Sequence, residues 1–112
     1  MNYIFDNYSL KSGRRGEFDL YEWVVFISKN EPDEKLKKIE FVEYQLDPSY
    51  SKPIRMENNP ANRFALRSQG WGRFRMFITV HLKDGDEIYT VYELDLKKPW
   101  PNDDPKLPRP IV

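Results

Sequence analysis

No cysteine occurs in the 112 residues. Disulfide scaffolds, thiol nucleophiles and thiolate zinc sites are therefore excluded. The absence suits a reducing compartment, so a cytoplasmic protein is expected. Only one histidine is present, His81; with no cysteine partner it argues against a His-rich metal site and a classical catalytic triad. Net charge is lacking too, because 18 Lys and Arg balance 18 Asp and Glu. Proteins that bind nucleic acid electrostatically carry a basic excess, so no specific nucleic-acid partner is expected. No apolar run is long enough for a membrane-spanning helix. Met1–Asp6 shows no basic start followed by an apolar stretch, so no signal peptide is read. Carboxylates are plentiful, but no pair sits in a recognisable catalytic motif. The chain is expected to be no enzyme and to need no cofactor or metal.

What is abundant is aromatic side chain, 15% of the residues, a composition that suits strands and recognition surfaces alike. The most specific stretch is Ser68–Leu82. Gly70 and Gly72 flank Trp71, and glycine there allows positive φ or a close approach of backbone. From Phe74 the residues alternate: Phe74, Met76, Ile78, Val80 and Leu82 share one face, and only Phe77 breaks the pattern. A period of two is the mark of a half-buried strand.

Around that strand the chain divides into short segments. Asn2–Leu10 is read as an edge strand and Lys11–Gly16 as a loop, solvated rather than phosphate-binding because nothing there resembles a Walker pattern and no helix clearly follows. Trp23-Val-Val-Phe-Ile27, apolar on both faces, reads as a central strand. Glu34–Leu46 is ambiguous between helix and strand. Strand is preferred, with a bulge or change of face, because Ile39 and Phe41 alternate out of phase with Val42, Tyr44 and Leu46. Asp47–Pro53 is a loop. Ile54–Met56 and Arg63–Arg67 are short strands, with Phe64 and Leu66 alternating in the second. Asp84-Gly85 predicts a two-residue type I′ turn, and Glu87–Leu96 returns as a strand. Frequent turns between six to eight strands predict an all-β sandwich. Residues 1–97 are assigned to that domain. Residues 98–112, with prolines at 99, 101, 105, 108 and 110, form a tail that packs through Trp100 or serves as a linker.

Several candidates have a plain reading beside the functional one. His81 falls on the polar face of its strand and is read as a surface residue. Asp84, Asp86 and Glu87 could hold calcium, but Asp-Gly already has a turn explanation. Arg63, Arg67, Arg73 and Arg75 cluster around the Trp71 loop, either to bind a carboxylate or phosphate or, as preferred, to solvate a strand face. Trp71 and Tyr50 lie in separate Gly- or Pro-bearing loops. They either plug one end of the sandwich or wall a flat or cationic ligand.

Three stretches together resemble the YEATS domain, most of all its prokaryotic branch. They are Trp23-Val-Val-Phe-Ile27, Val42-Glu-Tyr-Gln-Leu-Asp-Pro-Ser-Tyr-Ser-Lys-Pro53 and Gly70-Trp-Gly-Arg-Phe74 with its strand. The resemblance spans Trp23 to Leu96. It implies an immunoglobulin-like β-sandwich whose eukaryotic members read acetylated or crotonylated lysine between two aromatic rings. Carried over by position, Ser49 supplies a hydroxyl, Tyr50 and Trp71 supply the walls, and backbone groups at Trp71 and Gly72 contact the acyl amide. Asp47 stands where eukaryotic readers often have histidine. Prokaryotic relatives look like sensor or adaptor modules of signalling or defence proteins. Two functions follow: a reader of acylated-lysine peptides through Asp47, Ser49, Tyr50, Gly70, Trp71 and Gly72, or a protein-interaction adaptor in which the loop aromatics are structural.

Overall fold

Why the strands stack as they do follows from the strand that carries Trp23–Ile27. A computed structural model describes residues 1–111. In it β1 (Phe5–Arg15), β2 (Phe18–Ile27) and β5 (Leu66–Gly70) form one antiparallel sheet in the order β1-β2-β5. A second antiparallel sheet, in the order β4-β3-β6-β7, contains β3 (Ile39–Gln45), β4 (Ile54–Glu57), β6 (Arg75–Leu82) and β7 (Glu87–Glu93). Trp23, Val25 and Ile27 of β2 face the core between the sheets, where they join Val42, Met76 and Ile78. Val24 and Phe26 face the other way and are covered by Trp100 and Leu107 from the C-terminal segment. The double-sided apolar run is thus a strand buried on both faces, and the architecture is the all-β sandwich expected.

The C-terminal segment is fastened by specific bonds. Ser9 N–H donates to Lys98 O (2.8 Å) and Trp100 N–H donates to Ser9 O (3.1 Å), extending the edge of β1. Trp100 Nε1 donates to Leu107 O at 2.8 Å. Asp104, buried, pairs with Lys29 and accepts from the Tyr8 hydroxyl (3.2 Å) and Lys106 N–H (3.1 Å). Desolvation raises its carboxyl pKa, but the Lys29 ammonium and these donors outweigh it, so the group lies below its usual range. Such a carboxylate adds stability that is complete above the unfolded-chain value, about 3.9. That stability is lost as pH falls through the lowered folded value. Urea midpoints measured from neutral pH down through the carboxylate range should therefore fall less steeply for Asp104→Asn, from a lower neutral-pH starting point. An unchanged slope would show that Asp104 contributes nothing to acid sensitivity.

Several local expectations are corrected. Lys11–Gly16 is not a loop: β1 continues to Arg15, with a bulge between Lys11 and Gly13, and pairs Arg15 with Phe18. Gly16 alone turns the hairpin, at φ 60°, as the first central residue of a II′ turn requires. Glu34–Leu46 holds both candidates. One helical turn, α1 (Asp33–Leu36), buries Leu36, and the strand then starts at Ile39. Its pairing with β6 shifts between Ile39 and Phe41, the bulge that the opposite phases demanded.

Arg63–Arg67 is not one strand. A 3-10 turn (Pro60–Asn62) leads into Arg63 and Phe64, both left-handed (φ 61° and 56°), and β5 begins only at Leu66. That kink turns Phe64 into the core, with its carbonyl accepting from the Tyr44 hydroxyl at 2.6 Å. The Asp84-Gly85 turn is a three-residue loop rather than I′. Only Gly85 has positive φ (95°), its N–H donates to Leu82 O (3.0 Å), and Leu82 N–H donates to Asp86 O (2.9 Å). This is a tight turn closed by a glycine bulge. His81 is half-buried rather than simply exposed: it stacks on Phe41 (centroids 4.2 Å apart) with Nε2 3.2 Å from Glu43 Oε1.

Candidate functional site

The loop from β3 to β4 is shaped by its own polar groups. Leu46 N–H donates to Pro53 O (2.7 Å) and closes its base, and Tyr50 N–H donates to Asp47 O (3.0 Å). Asp47 Oδ1 accepts from Ser49 N–H at 2.9 Å, a turn that only Asx side chains form readily. That N–H, reinforced by the Ser49 hydroxyl, holds the Asp47 carboxyl below its usual range. Arg55 fixes the far side, donating through Nε to Lys52 O (2.6 Å) and through Nη2 to Ser51 O (2.9 Å). Lys52 accepts the left-handed conformation this needs (φ 51°).

The turn directs Tyr50 inward over the end of the core. Its ring meets Trp23 edge-on (6.3 Å, 72°) and Phe74 at a tilt (5.3 Å, 51°). Gly70 lies directly beneath it. A Cβ on Gly70 would sit 3.1 Å from Tyr50 Cζ and closer still to the hydroxyl, so glycine is required there for close approach. Neither Gly70 nor Gly72 has positive φ, and Gly72 meets nothing within 4 Å, so the expected need for glycine holds only at Gly70 and only as close approach. Burial raises the Tyr50 phenol pKa, opposed by the neighbouring Trp23 indole N–H. That N–H meets hydrogen-bond geometry with no group and is fully buried.

Trp71 follows Gly70 out of β5. Its ring stacks on Phe18 of β2, with centroids 4.3 Å apart and planes 30° from parallel, yet the residue stays 55% exposed. A stacked but open indole has one face held and another offered. Tyr50 and Trp71 do not pack on each other; both border the same pocket of about 430 Å³. Asp47, Ser49, Gly70 and Gly72 border it too, so all six candidate positions meet at one concavity. Phe74, Leu20, Gln69, Ser51, Arg15 and Arg73 complete its lining. Of these, the sequence marks Phe74 only as a core residue, Arg73 as one of a cluster, and Arg15 as part of a loop. Arg15 reaches the pocket because the β1–β2 hairpin tip lies beside the Trp71 loop.

Chemically the site offers flat apolar walls, a hydroxyl at Ser49 and exposed cations. Among the described residues no group of three or more His, Asp or Glu is placed to hold a metal ion. Among the described residues no helix is long and apolar enough to cross a membrane.

Comparison with known proteins adds the following. A family model described as the prokaryotic YEATS domain matches residues 21–95. Among solved structures, the yeast AF-9 homolog protein Yaf9 is similar at 24% identity, over 82% of this chain and 68% of that one, with a TM-score of 0.66. The Yaf9 YEATS domain recognizing an H3K122suc peptide aligns at 22% identity over 87% and 78% of the two chains, with a TM-score of 0.65. The Yaf9 domain bound to H3K27ac aligns at 20% identity over 86% and 77%, with a TM-score of 0.63. At these identities the likeness establishes a shared fold.

Proposed function

Because this chain belongs to the prokaryotic YEATS domain family, we propose that it is a non-enzymatic binding module whose pocket takes the acyl group of a modified lysine in a peptide or protein. The observation that carries this reading is the meeting of Ser49, Tyr50 and an open Trp71 at one aromatic-walled pocket of about 430 Å³. Acylation removes the lysine charge, leaving a planar amide with an apolar chain. Such a group is bound by stacking and hydrogen bonds rather than by a counter-ion. Tyr50, held by Trp23 and Phe74, forms the fixed wall, and Trp71 on its Phe18 support forms the second. Ser49 at the rim hydrogen-bonds the amide. The solved Yaf9 domains, with their acetylated and succinylated H3 peptides, support a peptide partner. The module would act in the cytoplasm as part of a prokaryotic signalling or defence protein.

A second reading is favoured by a different surface. The outer face of the β4-β3-β6-β7 sheet leaves Met56, Phe77, Tyr89 and Val91 at least half exposed, which suits an adaptor that docks a protein there. The open Trp71 favours the first reading over this one, because a purely structural plug would bury its indole.

The test is an NMR titration with one peptide sequence in unmodified, acetylated and crotonylated forms. Saturable shifts of the Trp71 indole and the Ser49–Tyr50 amides are expected with the acylated forms alone. Trp71→Ala should weaken that binding by about tenfold or more. If all three peptides leave these signals unmoved at millimolar concentration, the acyl-lysine reading is wrong and the sheet-face adaptor takes its place.

A further inference from the structure

The four arginines clustered in sequence separate completely in space. Arg63 is buried and donates to backbone carbonyls. Arg67 lies over the Trp100 ring at 4.9 Å and donates to Pro108 O. Arg75 pairs with Glu93 at 3.2 Å on the outer sheet face. Arg73 alone lines the pocket, and Arg15 joins it from the β1–β2 turn. Among the described residues neither Arg15 nor Arg73 makes an ion pair, and neither guanidinium donates a hydrogen bond within the fold. Two unspent guanidinium groups, one from the end of β1 and one from the segment between β5 and β6, thus border one aromatic-walled pocket. The opposing charge there is a single carboxylate, Asp47, whose Oδ1 already accepts the Ser49 N–H.

Resting on the acyl-lysine reading of this pocket, we propose that it selects acyl groups ending in a carboxylate, with Arg15 and Arg73 as the specificity-determining residues. The chemistry is direct. A lysine carrying a dicarboxylic acyl chain presents a flat amide for the aromatic walls and, beyond it, a carboxylate. Guanidinium is the side chain best matched to that group, through charge-assisted and bidentate hydrogen bonds. The same two cations repel an unmodified lysine ammonium, which sharpens discrimination against the bare side chain. A neutral acyl chain of equal length fills the walls but leaves both arginines unanswered.

Calorimetry with three peptides of one sequence tests this: unmodified, butyryl-lysine and succinyl-lysine, the last two of equal carbon count. The succinylated peptide is expected to bind about tenfold tighter than the butyrylated one, the gain of one charged hydrogen-bonded contact. The advantage should shrink as salt is raised, because both arginines are exposed to screening. In the double variant Arg15→Gln, Arg73→Gln the ratio of the two affinities should collapse towards unity. Both positions are on the surface, so the variant should keep its fold, checked by its urea midpoint. A butyrylated peptide that binds as tightly as the succinylated one would overturn the selectivity and leave acyl-lysine recognition standing. A succinyl preference that survives the double substitution would overturn the assignment to these arginines. If neither acylated peptide binds, the acyl-lysine reading fails and this inference falls with it.

Discussion

Arg63→Met should lower the unfolding free energy by about 3–4 kcal/mol, a large share of the roughly 5–15 kcal/mol that holds a domain of this size. The reason is the company Arg63 keeps. Its residue is only 6% exposed. Its guanidinium donates to Ile27 O (2.8 Å), Ser28 O (2.7 Å) and Glu31 O (2.6 Å). These carbonyls lie where β2 ends and the chain turns towards α1; Ser28 O also accepts from Glu31 N–H (2.9 Å), so Ile27 O and Glu31 O are the ones that depend on the fork. Removing the fork leaves buried acceptors unsatisfied at about 1–3 kcal/mol each, offset in part by relaxation. The ion pair contributes little. Asp33 stands 3.7 Å away with its side chain 79% exposed, so Asp33→Asn should change stability by about 0.5 kcal/mol or less. Arg63→Lys should recover only part of the loss, because one ammonium cannot span carbonyls set in a planar fork. Urea unfolding of the three variants decides the matter. An Arg63→Met loss comparable to that of Asp33→Asn would mean that water reaches those carbonyls.

Arg63 also shows where reading from sequence stops. The sandwich was legible because its main signals are local. Strict alternation identified β6, and an apolar run on both faces identified β2, a strand covered from two sides. Arg63 was not legible. Two left-handed residues without glycine, Arg63 and Phe64, carry no compositional mark, and between Arg and Arg the sequence mimics alternation. Lys11–Arg15 was missed for a related reason: the charged, glycine-bearing end of a long exposed hairpin has the composition of a loop. A single helical turn such as Asp33–Leu36 is too short to display a period.

The pocket divides in the same way. Asp47, Ser49 and Tyr50 lie in a loop whose turn chemistry is written in its residues, and Trp71 is marked by its flanking glycines. That these two loops border one cavity is a long-range fact, which the YEATS resemblance anticipated and periodicity could not. Arg15 was beyond both. It arrives through the pairing of Arg15 with Phe18 and the stacking of Phe18 on Trp71, neither of which leaves a local trace. Even within the loop, sequence could not separate Gly70 from Gly72.

That separation yields the sharpest test of the pocket. Gly70→Ala should weaken acylated-peptide binding by more than about tenfold while lowering stability by only about 1–2 kcal/mol, the range for a small overpacked contact. The added Cβ would lie 3.1 Å from Tyr50 Cζ and well inside contact distance of its hydroxyl. The phenol tip can move outward, so the fold survives. The ring, however, is seated between Trp23 and Phe74, and any such movement tilts it off that seat and displaces the fixed wall. Gly72→Ala is the matched control, since its Cβ meets nothing within 4 Å. It should alter stability by about 0.5 kcal/mol or less. Tyr50→Phe removes the closest atom of the clash, so the pair Gly70→Ala and Tyr50→Phe should be less than additive in stability, a coupling that a double-mutant cycle reads directly. Calorimetric titration of an acylated peptide into each variant gives the decisive comparison. Equal affinities for Gly70→Ala and Gly72→Ala would mean that the Tyr50 ring is no wall of the binding site, however closely it borders the pocket.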